Sequence, residues 1–371
     1  MPSIMDAFAD LRDPRCRTCR YPLPEILFAA LSAVLCGVED WETSTLWART
    51  QLAWLRTHLP YENGIASPDT FARVFGALSV KAFEQCFINW VSQLCPALEG
   101  QHIAIDGKAV RGSRSATHSA LHLVSAWCSD TGLSLGQVST SEKSNEITAI
   151  PELLAALNLE GATVTIDAMG TQHAIAEAIV KAGANYVLAV KDNQPGLAEG
   201  VRRWFAAAQD GRLESSYWEH VEHDKGHGRL ETRVCRVADD IAWLAGTGQH
   251  WAGIERLVML ERTGEQGGKT STESCYYISS KAVKAAEMAR LIRAHWGIEN
   301  QLHWVLDVSW GEDASLIRDK VAAQNMASLR KITLNLARLE QSRQPKKISL
   351  KNVRNLAAWD TALRDSVLGL V

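Results

Sequence analysis

The chain has 371 residues, 46% of them hydrophobic and 22% charged, with a formal net charge of −3 and a sequence pI near 6.4. This balance excludes a disordered, collagen-like or disulfide-framework protein and suits a globular chain of one large domain with attachments, or of two domains. No apolar run reaches the ~18 residues of a membrane helix and the amino terminus lacks a signal-like segment, so the expectation is a cytoplasmic protein without membrane contact.

In chain order, residues 22–98 read as helices. One runs from Pro24 to Cys36 and stops at Gly37, a second runs amphipathically from Trp41 to Leu59 before Pro60, and a third opens at Ser67-Pro-Asp with Ser67 as N-cap and Pro68 at the first position. From residue 101 the apolar period changes from helical to alternating. Strands are expected at 101–106, 121–128 and 133–140, a helix at 146–158, a strand at 162–167, a helix at 172–182 and a strand at 185–191. Three strands, helix, strand, helix, strand is the order of a ribonuclease H core, in which the first and fourth strands are neighbours. Residues 198–275 break the rhythm with strand candidates beginning at Tyr217, Leu230 and Ile254, and read as a β-rich insertion. An amphipathic helix at 321–339 is expected to pack on the core or on a second protomer.

The fold class that follows is α/β: a ribonuclease H-like mixed sheet with helices, an N-terminal helical domain and a β-rich insertion. The expected division is 1–98 for the helical domain, 99–197 for the first part of the core, 198–275 for the insertion, 276–345 for the second part of the core, and 346–371 for a basic tail and helix.

Three acidic residues stand out. Asp106 and Asp167 end the first and fourth strand-like runs, and Glu299 sits in a helical run after the insertion. Three carboxylates converging at a sheet edge suit a two-metal phosphoryl-transfer site, because hard cations take oxygen ligands and two of them neutralise both the entering and the leaving oxygen. Each aspartate read alone is better explained as a cap of the following loop or helix. Around Glu299, His295, His303 and Asp307 recur four apart on one expected helical stripe; that stripe is either functional or a surface of paired charges. A zinc site of His295, Glu299 and His303 fits less well, because the His-Glu-x-x-His signature is absent and the two aspartates would go unused.

Other features carry less. The eight cysteines lie scattered and are expected as reduced thiols; Cys16 and Cys19 form a CxxC without a second pair. The overall charge gives no support to nucleic-acid binding, but Arg12, Arg15, Arg17 and Arg20, and Lys346, Lys347, Lys351 and Arg354, form local basic clusters that are either phosphate contacts or solvated faces. Trp218, Trp243 and Trp251 are candidates for stacking on an unpaired base, set against the more common fate of tryptophan in a core.

These words together resemble one family. Asp13-Pro-Arg, Asn63-Gly-Ile-Ala-Ser-Pro-Asp-Thr-Phe, Ala104-Ile-Asp-Gly-Lys-Ala-Val-Arg-Gly-Ser113, Glu142-Lys-Ser-Asn-Glu-Ile-Thr-Ala-Ile-Pro151, Thr165-Ile-Asp-Ala-Met-Gly170, Gly226-His-Gly-Arg-Leu-Glu-Thr-Arg233 and His295-Trp-Gly-Ile-Glu-Asn-Gln-Leu-His-Trp-Val-Leu-Asp-Val308 run nearly end to end. The chain is similar to the DDE transposases of bacterial insertion sequences, in particular the ISAs group, also described as H-repeat-associated proteins. The resemblance implies a DNA transposase that cleaves its element's ends and joins the freed 3′ hydroxyls to target DNA. Asp106, Asp167 and Glu299 would be its catalytic, metal-binding triad, holding two Mg²⁺ ions for which Mn²⁺ can substitute.

The implied partners are double-stranded DNA, both terminal inverted repeats and target, and a second copy in a homodimer on DNA, within the bacterial cytoplasm and at the nucleoid when bound. Candidate DNA contacts are Lys108, Arg111, Lys143, Asn145, Arg293 and His303. The alternatives are a catalytically decayed or domesticated DNA-binding relative, or a ribonuclease H-like nuclease without strand transfer. Relatives that process ends through hairpins carry Tyr, Arg and Lys at seven before, four before and seven after the glutamate, where this chain has Ile292, His295 and Leu306; the sequence leaves the hairpin step undecided.

Overall fold

The computed structural model describes residues 3–15, 19–114, 120–140, 146–213, 216–226, 229–245 and 250–370. It divides into two compact units that interleave along the chain. A sheet unit contains 98–106 and 145–298, and a helical unit contains 1–97, 107–144 and 299–371.

Parallel strand pairing builds the sheet unit. The first part of β1 (His102–Val110) pairs in parallel with β4 (Thr163–Ile166), and β4 pairs in parallel with β5 (Asn185–Val190). Thr-Val-Thr-Ile in β4 is wholly β-branched and buried, as a strand covered on both faces requires. Beyond β5 the sheet continues antiparallel through β9 (Lys269–Ser279), β8 (Arg256–Gln266), β7 (Arg229–Ala238) and β6 (Trp218–Gly226), in that spatial order. The expected insertion is therefore an extension of the sheet itself, and it starts after a helix, Pro195–Gln209. Helix Ala285–His295 lays Ala285, Met288, Ala289 and Ile292 onto Val187, Val237, Val258 and Leu260.

The helical unit contains the antiparallel pair β2 (Leu121–Cys128) and β3 (Leu133–Ser139), the rest of β1, and helices Leu23–Leu35, Trp41–Thr50, Pro68–Ala77 and Val80–Leu94. Ser67 precedes Pro68 as expected, but its hydroxyl meets Thr70 Oγ1 at 3.0 Å and caps no backbone amide. At the centre is helix Lys320–Arg343. Asp319 starts it by accepting from the Ala322 amide at 2.8 Å, and it ends at Gln344, whose extended backbone precedes Pro345.

The amphipathic surface expected for this helix is corrected by its surroundings. Asn325, Ser328, Arg330, Lys331, Thr333, Asn335 and Glu340 are buried along with its apolar residues, because helices and β3 enclose it and supply polar partners. Asn325 Nδ2 donates to the carbonyls of Phe75 and Leu78, Asn335 exchanges bonds with the Ser134 backbone, and Ser328 Oγ donates to Glu84 at 2.7 Å.

The basic C-terminal cluster is also revised. Arg354 is buried, donates to the carbonyls of Val34 and Ser309, and stacks 4.5 Å from the Trp310 ring centroid, so it cements packing. Lys346, Lys347 and Lys351 are exposed. In the amino-terminal cluster Arg15 pairs with Asp13 at 2.7 Å, Arg12 and Arg20 are exposed, and Arg17 and Cys16 lie outside the described residues.

Lys331 is 2% exposed, donates to Gln137 Oε1, and is attracted to Glu84 and Glu312, themselves buried. Removing one member of a buried ionic group strands the others without compensation. Lys331→Ala should therefore lose about 3–5 kcal/mol of unfolding free energy in urea titrations; a loss below ~1 kcal/mol would show that Glu84 and Glu312 are accommodated without it.

Candidate catalytic site

Strand pairing leads up to the first two acids. Ile105 of β1 and Ile166 of β4 are the last paired positions of the parallel ladder, and Asp106 and Asp167 each follow them directly. The strand bearing Asp106 does not stop there, as the sequence suggests; β1 runs on to Val110, and Asp106 lies within it.

Asp167 leaves β4 with extended backbone and starts a short 3₁₀ turn, Ala168–Gly170. Its Oδ1 accepts from the amides of Met169 at 3.1 Å and Gly170 at 3.4 Å. Gly170 is required here, because a Cβ would fall 2.3 Å from Ile166 Cγ2. The capping reading of Asp167 is thus realised, and it leaves Oδ2 engaged by neither amide. Asn193 Nδ2 clamps the same turn by donating to Ala168 O at 2.6 Å. Burial raises the Asp167 pKa above the usual carboxylate range and the neighbouring Glu146 raises it further, against the pull of the Gly170 and Met169 amides and of Lys191.

Asp167 and Glu146 are close enough in the sheet unit for their charges to repel, and carboxylates of this kind are the oxygen donors that hard divalent cations take. Glu146 was legible only as part of a family-like loop; its proximity to Asp167 depends on where helix Glu146–Ala156 begins. Lys143 and Asn145 lie outside the described residues.

In the same unit, His102 Nε2 lies 2.8 Å from Thr165 Oγ1, and that oxygen lies 2.9 Å from His295 Nδ1. Burial lowers the His295 pKa to about 4, so the imidazole at the position where hairpin-forming relatives carry arginine is neutral and bonded internally. Arg293 is half-exposed and pairs with Asp224 at 2.9 Å and Glu222 at 3.5 Å, across a groove that His223 and Arg290 also line. Trp251 is buried and stacks on His173 with ring centroids 4.0 Å apart, and Trp218 packs beneath Arg256. Both belong to the packing of the unit.

In the helical unit, the segment around Glu299 is a π-helical turn, Ile298–His303, followed by helix Trp304–Ser309. The extra residue per turn breaks the single stripe expected for His295, Glu299, His303 and Asp307. Glu299 is exposed, with His303 Nδ1 3.9 Å from its Oε2. His303 is 5% exposed; burial, with Lys331 and Lys108 nearby, pulls its pKa down to about 3, so it presents a neutral ring and no cation to a phosphate.

Asp307 bonds to Lys108, whose ammonium also reaches Glu312 at 2.6 Å. Burial opposes charge on Glu312, but Lys331, Lys108 and Arg330 together hold its carboxyl below the usual range. Lys108 is therefore internally neutralised, whereas the Arg111 side chain is 85% exposed, 3.8 Å from Asp313.

Residues 98–336 match the model of the transposase DDE domain, and residues 5–91 match that of the DDE_Tnp_1-associated family. The chain belongs to the DDE transposase family. It is 39% identical over 342 residues to "Putative transposase YncI" of Escherichia coli O157:H7, covering 91% of this chain and 87% of that protein. It is 38% identical over 325 residues to "H repeat-associated putative transposase YhhI" of Escherichia coli K12, covering 85% of each. Among solved structures, a piggyBac transposase synaptic complex with hairpin DNA aligns with a TM-score of 0.44 and 12% identity, over 98% of this chain and 76% of that one. The mixed α/β architecture is the ribonuclease H-like fold expected of a DDE transposase. Among the described residues no helix is long and apolar enough to cross a membrane.

The neutral histidines give this transposase chain an acid-side instability. His303 titrates near 6.5 when unfolded and at about 3 when folded, so below pH 6.5 the unfolded chain takes up a proton that the native ring refuses. The stability is present above pH 6.5 and lost as the pH falls toward the folded value, by up to about 1.4 kcal/mol per pH unit for each such imidazole. Urea titrations between pH 6.5 and pH 4 should show a shallower decline for His303→Leu than for wild type, by about 1 kcal/mol per pH unit; parallel curves would mean that the buried ring is already charged.

Proposed function

We propose that this chain is an active DNA transposase that cleaves the ends of its insertion sequence and transfers them to target DNA, with Asp106, Asp167 and Glu299 as its catalytic and metal-binding triad. The observation that supports the reading is the parallel pairing of β1 and β4 up to Ile105 and Ile166, the residues directly before Asp106 and Asp167, in a chain of the DDE family. Glu299 enters by its family motif, as an exposed carboxylate on the π-helical turn.

The bound Mg²⁺ ions, for which Mn²⁺ can substitute, would supply charge neutralisation at the attacking and leaving oxygens and lower the pKa of the attacking hydroxyl. The carboxylates hold that charge in place and accept no covalent bond. In cleavage, a water oxygen attacks the phosphorus at the element's end while the bond from phosphorus to the 3′ oxygen breaks, leaving a 3′-OH on the element and a 5′-phosphate on the flank. In transfer, that 3′-OH loses its proton and attacks a target phosphodiester, whose own 3′ oxygen leaves. Bond number is conserved in the second step, so no external energy source is needed.

Double-stranded DNA, as terminal inverted repeats and as target, is the proposed partner. Pairing of two ends calls for a homodimer on DNA, at the nucleoid of the bacterial cytoplasm. Arg111, Lys346, Lys347 and Lys351, exposed in the helical unit, are the cations on which phosphate contact is proposed.

The test uses a labelled duplex spanning the junction between the gene's flanking inverted repeat and host DNA, with Mg²⁺ or EDTA. Wild type should nick at the repeat's end only with Mg²⁺, and Asp106→Ala, Asp167→Ala and Glu299→Ala should each lose at least about 10³-fold in rate, as expected when a metal ligand is removed from a site that depends on charge stabilisation. Binding without cutting by wild type would establish a decayed DNA-binding relative, cutting without strand transfer a nuclease, and cutting by all three variants would remove the triad.

A further inference from the structure

Three polar side chains of the sheet unit converge on one atom. Thr165 Oγ1 lies 2.8 Å from His102 Nε2 and 2.9 Å from His295 Nδ1, with His102 0% and Thr165 3% exposed. A hydroxyl carries one proton. It can therefore donate to only one of the two ring nitrogens, and the other must donate to it. The depressed pKa of His295 agrees with a neutral ring at this junction.

The elements joined are those that lead to the acids. His102 stands in β1 four residues before Asp106, Thr165 stands in β4 two residues before Asp167, and His295 closes helix Ala285–His295 four residues before Glu299. Strand side chains alternate, so His102 shares a face of β1 with Asp106, and Thr165 shares a face of β4 with Asp167. The pairing of Ala104 with Thr165 puts these on the same side of the sheet. Backbone pairing alone lets neighbouring strands shear and twist by small amounts. A buried hydroxyl held from both sides opposes that motion two residues from the acidic position.

We propose that Thr165, held between His102 and His295, is a positioning residue for a divalent-cation site on Asp106 and Asp167, fixing the offset of the two strands so that both carboxylates reach one ion. The proposal rests on the metal-binding role assigned above to those two acids. Ligand groups must be held to about 0.5 Å for tight coordination, and hydrogen-bonded supports beyond the ligands commonly account for 10–100-fold in metal affinity. Thr165→Val keeps the volume and β-branching and removes only the hydroxyl, whereas Thr165→Ser keeps the hydroxyl.

Mn²⁺ binding to the purified full-length protein, followed by the electron paramagnetic resonance signal of the free ion, separates the cases without DNA or turnover. Wild type should bind Mn²⁺ in a manner that Asp167→Ala abolishes, Thr165→Val should bind about tenfold more weakly with an unchanged circular dichroism spectrum, and Thr165→Ser should recover most of the loss. If Asp167→Ala leaves wild-type Mn²⁺ binding intact, the metal reading fails and the positioning role fails with it. If Asp167→Ala abolishes binding while Thr165→Val binds as wild type does, or Thr165→Ser fails to recover, the metal reading stands and the positioning role is overturned. Should Thr165→Val not fold, His295→Phe, which removes the nitrogen from the other side of the hydroxyl, is read by the same outcomes.

Discussion

The parallel pairing of β1 with β4, with Ile105 against Ile166, is the constraint on which the proposed chemistry depends. Parallel neighbours cannot be joined by a tight turn, so the chain travels from residue 110 to 163 through β2, β3 and helix Glu146–Ala156 before it returns beside its starting strand. A slip of one residue would send Asp167 and Thr165 to the opposite face of the sheet. Both faces of β4 are buried, so resistance to a slip comes from matched partners: Val164 and Ile166 pack among apolar neighbours, while Thr165 meets His102 and His295 on the other face. Matched side chains on both faces thus set the position of the carboxylates, and Gly170 and Asn193 fix the turn that follows.

The helical unit is organised differently, around charge taken out of water. Glu84, Glu312, Lys331 and Arg330 are buried together beside helix Lys320–Arg343, with Lys108 joined to Glu312 and Asp307. Buried ion pairs seldom stabilise more than a packed apolar cluster would, but they strongly disfavour arrangements that leave one partner alone. Helix Lys320–Arg343 therefore has one seating that satisfies Glu84, Gln137 and Glu312 at once. Arg354 and Arg364 extend the pattern, each spreading its guanidinium over tryptophan while donating to backbone carbonyls. A net charge read from composition accordingly says little about the surface offered to DNA, since several of the strongest cations face inward.

The core elements were legible because their signals are local: β-branched alternation for β2 to β5, and Gly or Pro at the helix ends. Asp106 and Asp167 were legible as a pair because strand order follows from element order. What the sequence concealed depends on distant partners. The onward run of β1 past Asp106 crosses Gly107 and Lys108, beyond the strand end expected at 106, and Lys108, offered as a DNA contact, instead meets Asp307 and Glu312 some two hundred positions later. The π-helical turn at 298–303 has no periodic signature, so His295, Glu299, His303 and Asp307 looked like one stripe, whereas His295 bonds to Thr165, Glu299 lies 3.9 Å from His303, and Asp307 bonds to Lys108. The inward arginines were equally hidden, because Arg354 and the exposed Lys351 stand in the same short basic run.

Charge around the acid pair bears on how catalysis would be divided between protein and metal. In the sheet unit Asp167 is influenced by Glu146 and, with opposite sign, by Lys191, and Asp106 adds a further carboxylate directly after the paired Ile105. His295 contributes a neutral ring and, like His102, bonds to Thr165, and Arg293 is already matched by Asp224 and Glu222. Among these described residues the carboxylates outnumber the unmatched cations, and on the proposed reading a scissile phosphate would add to that sign. On the proposed site assignment Arg293, so matched, does not line the acid pair as arginines line an arginine-based site. In the proposed mechanism the carboxylates would act through divalent ions that convert the surplus of negative oxygen into coordination. The same surplus would penalise closely apposed DNA before the ions are bound, which makes metal loading and substrate engagement parts of one electrostatic event.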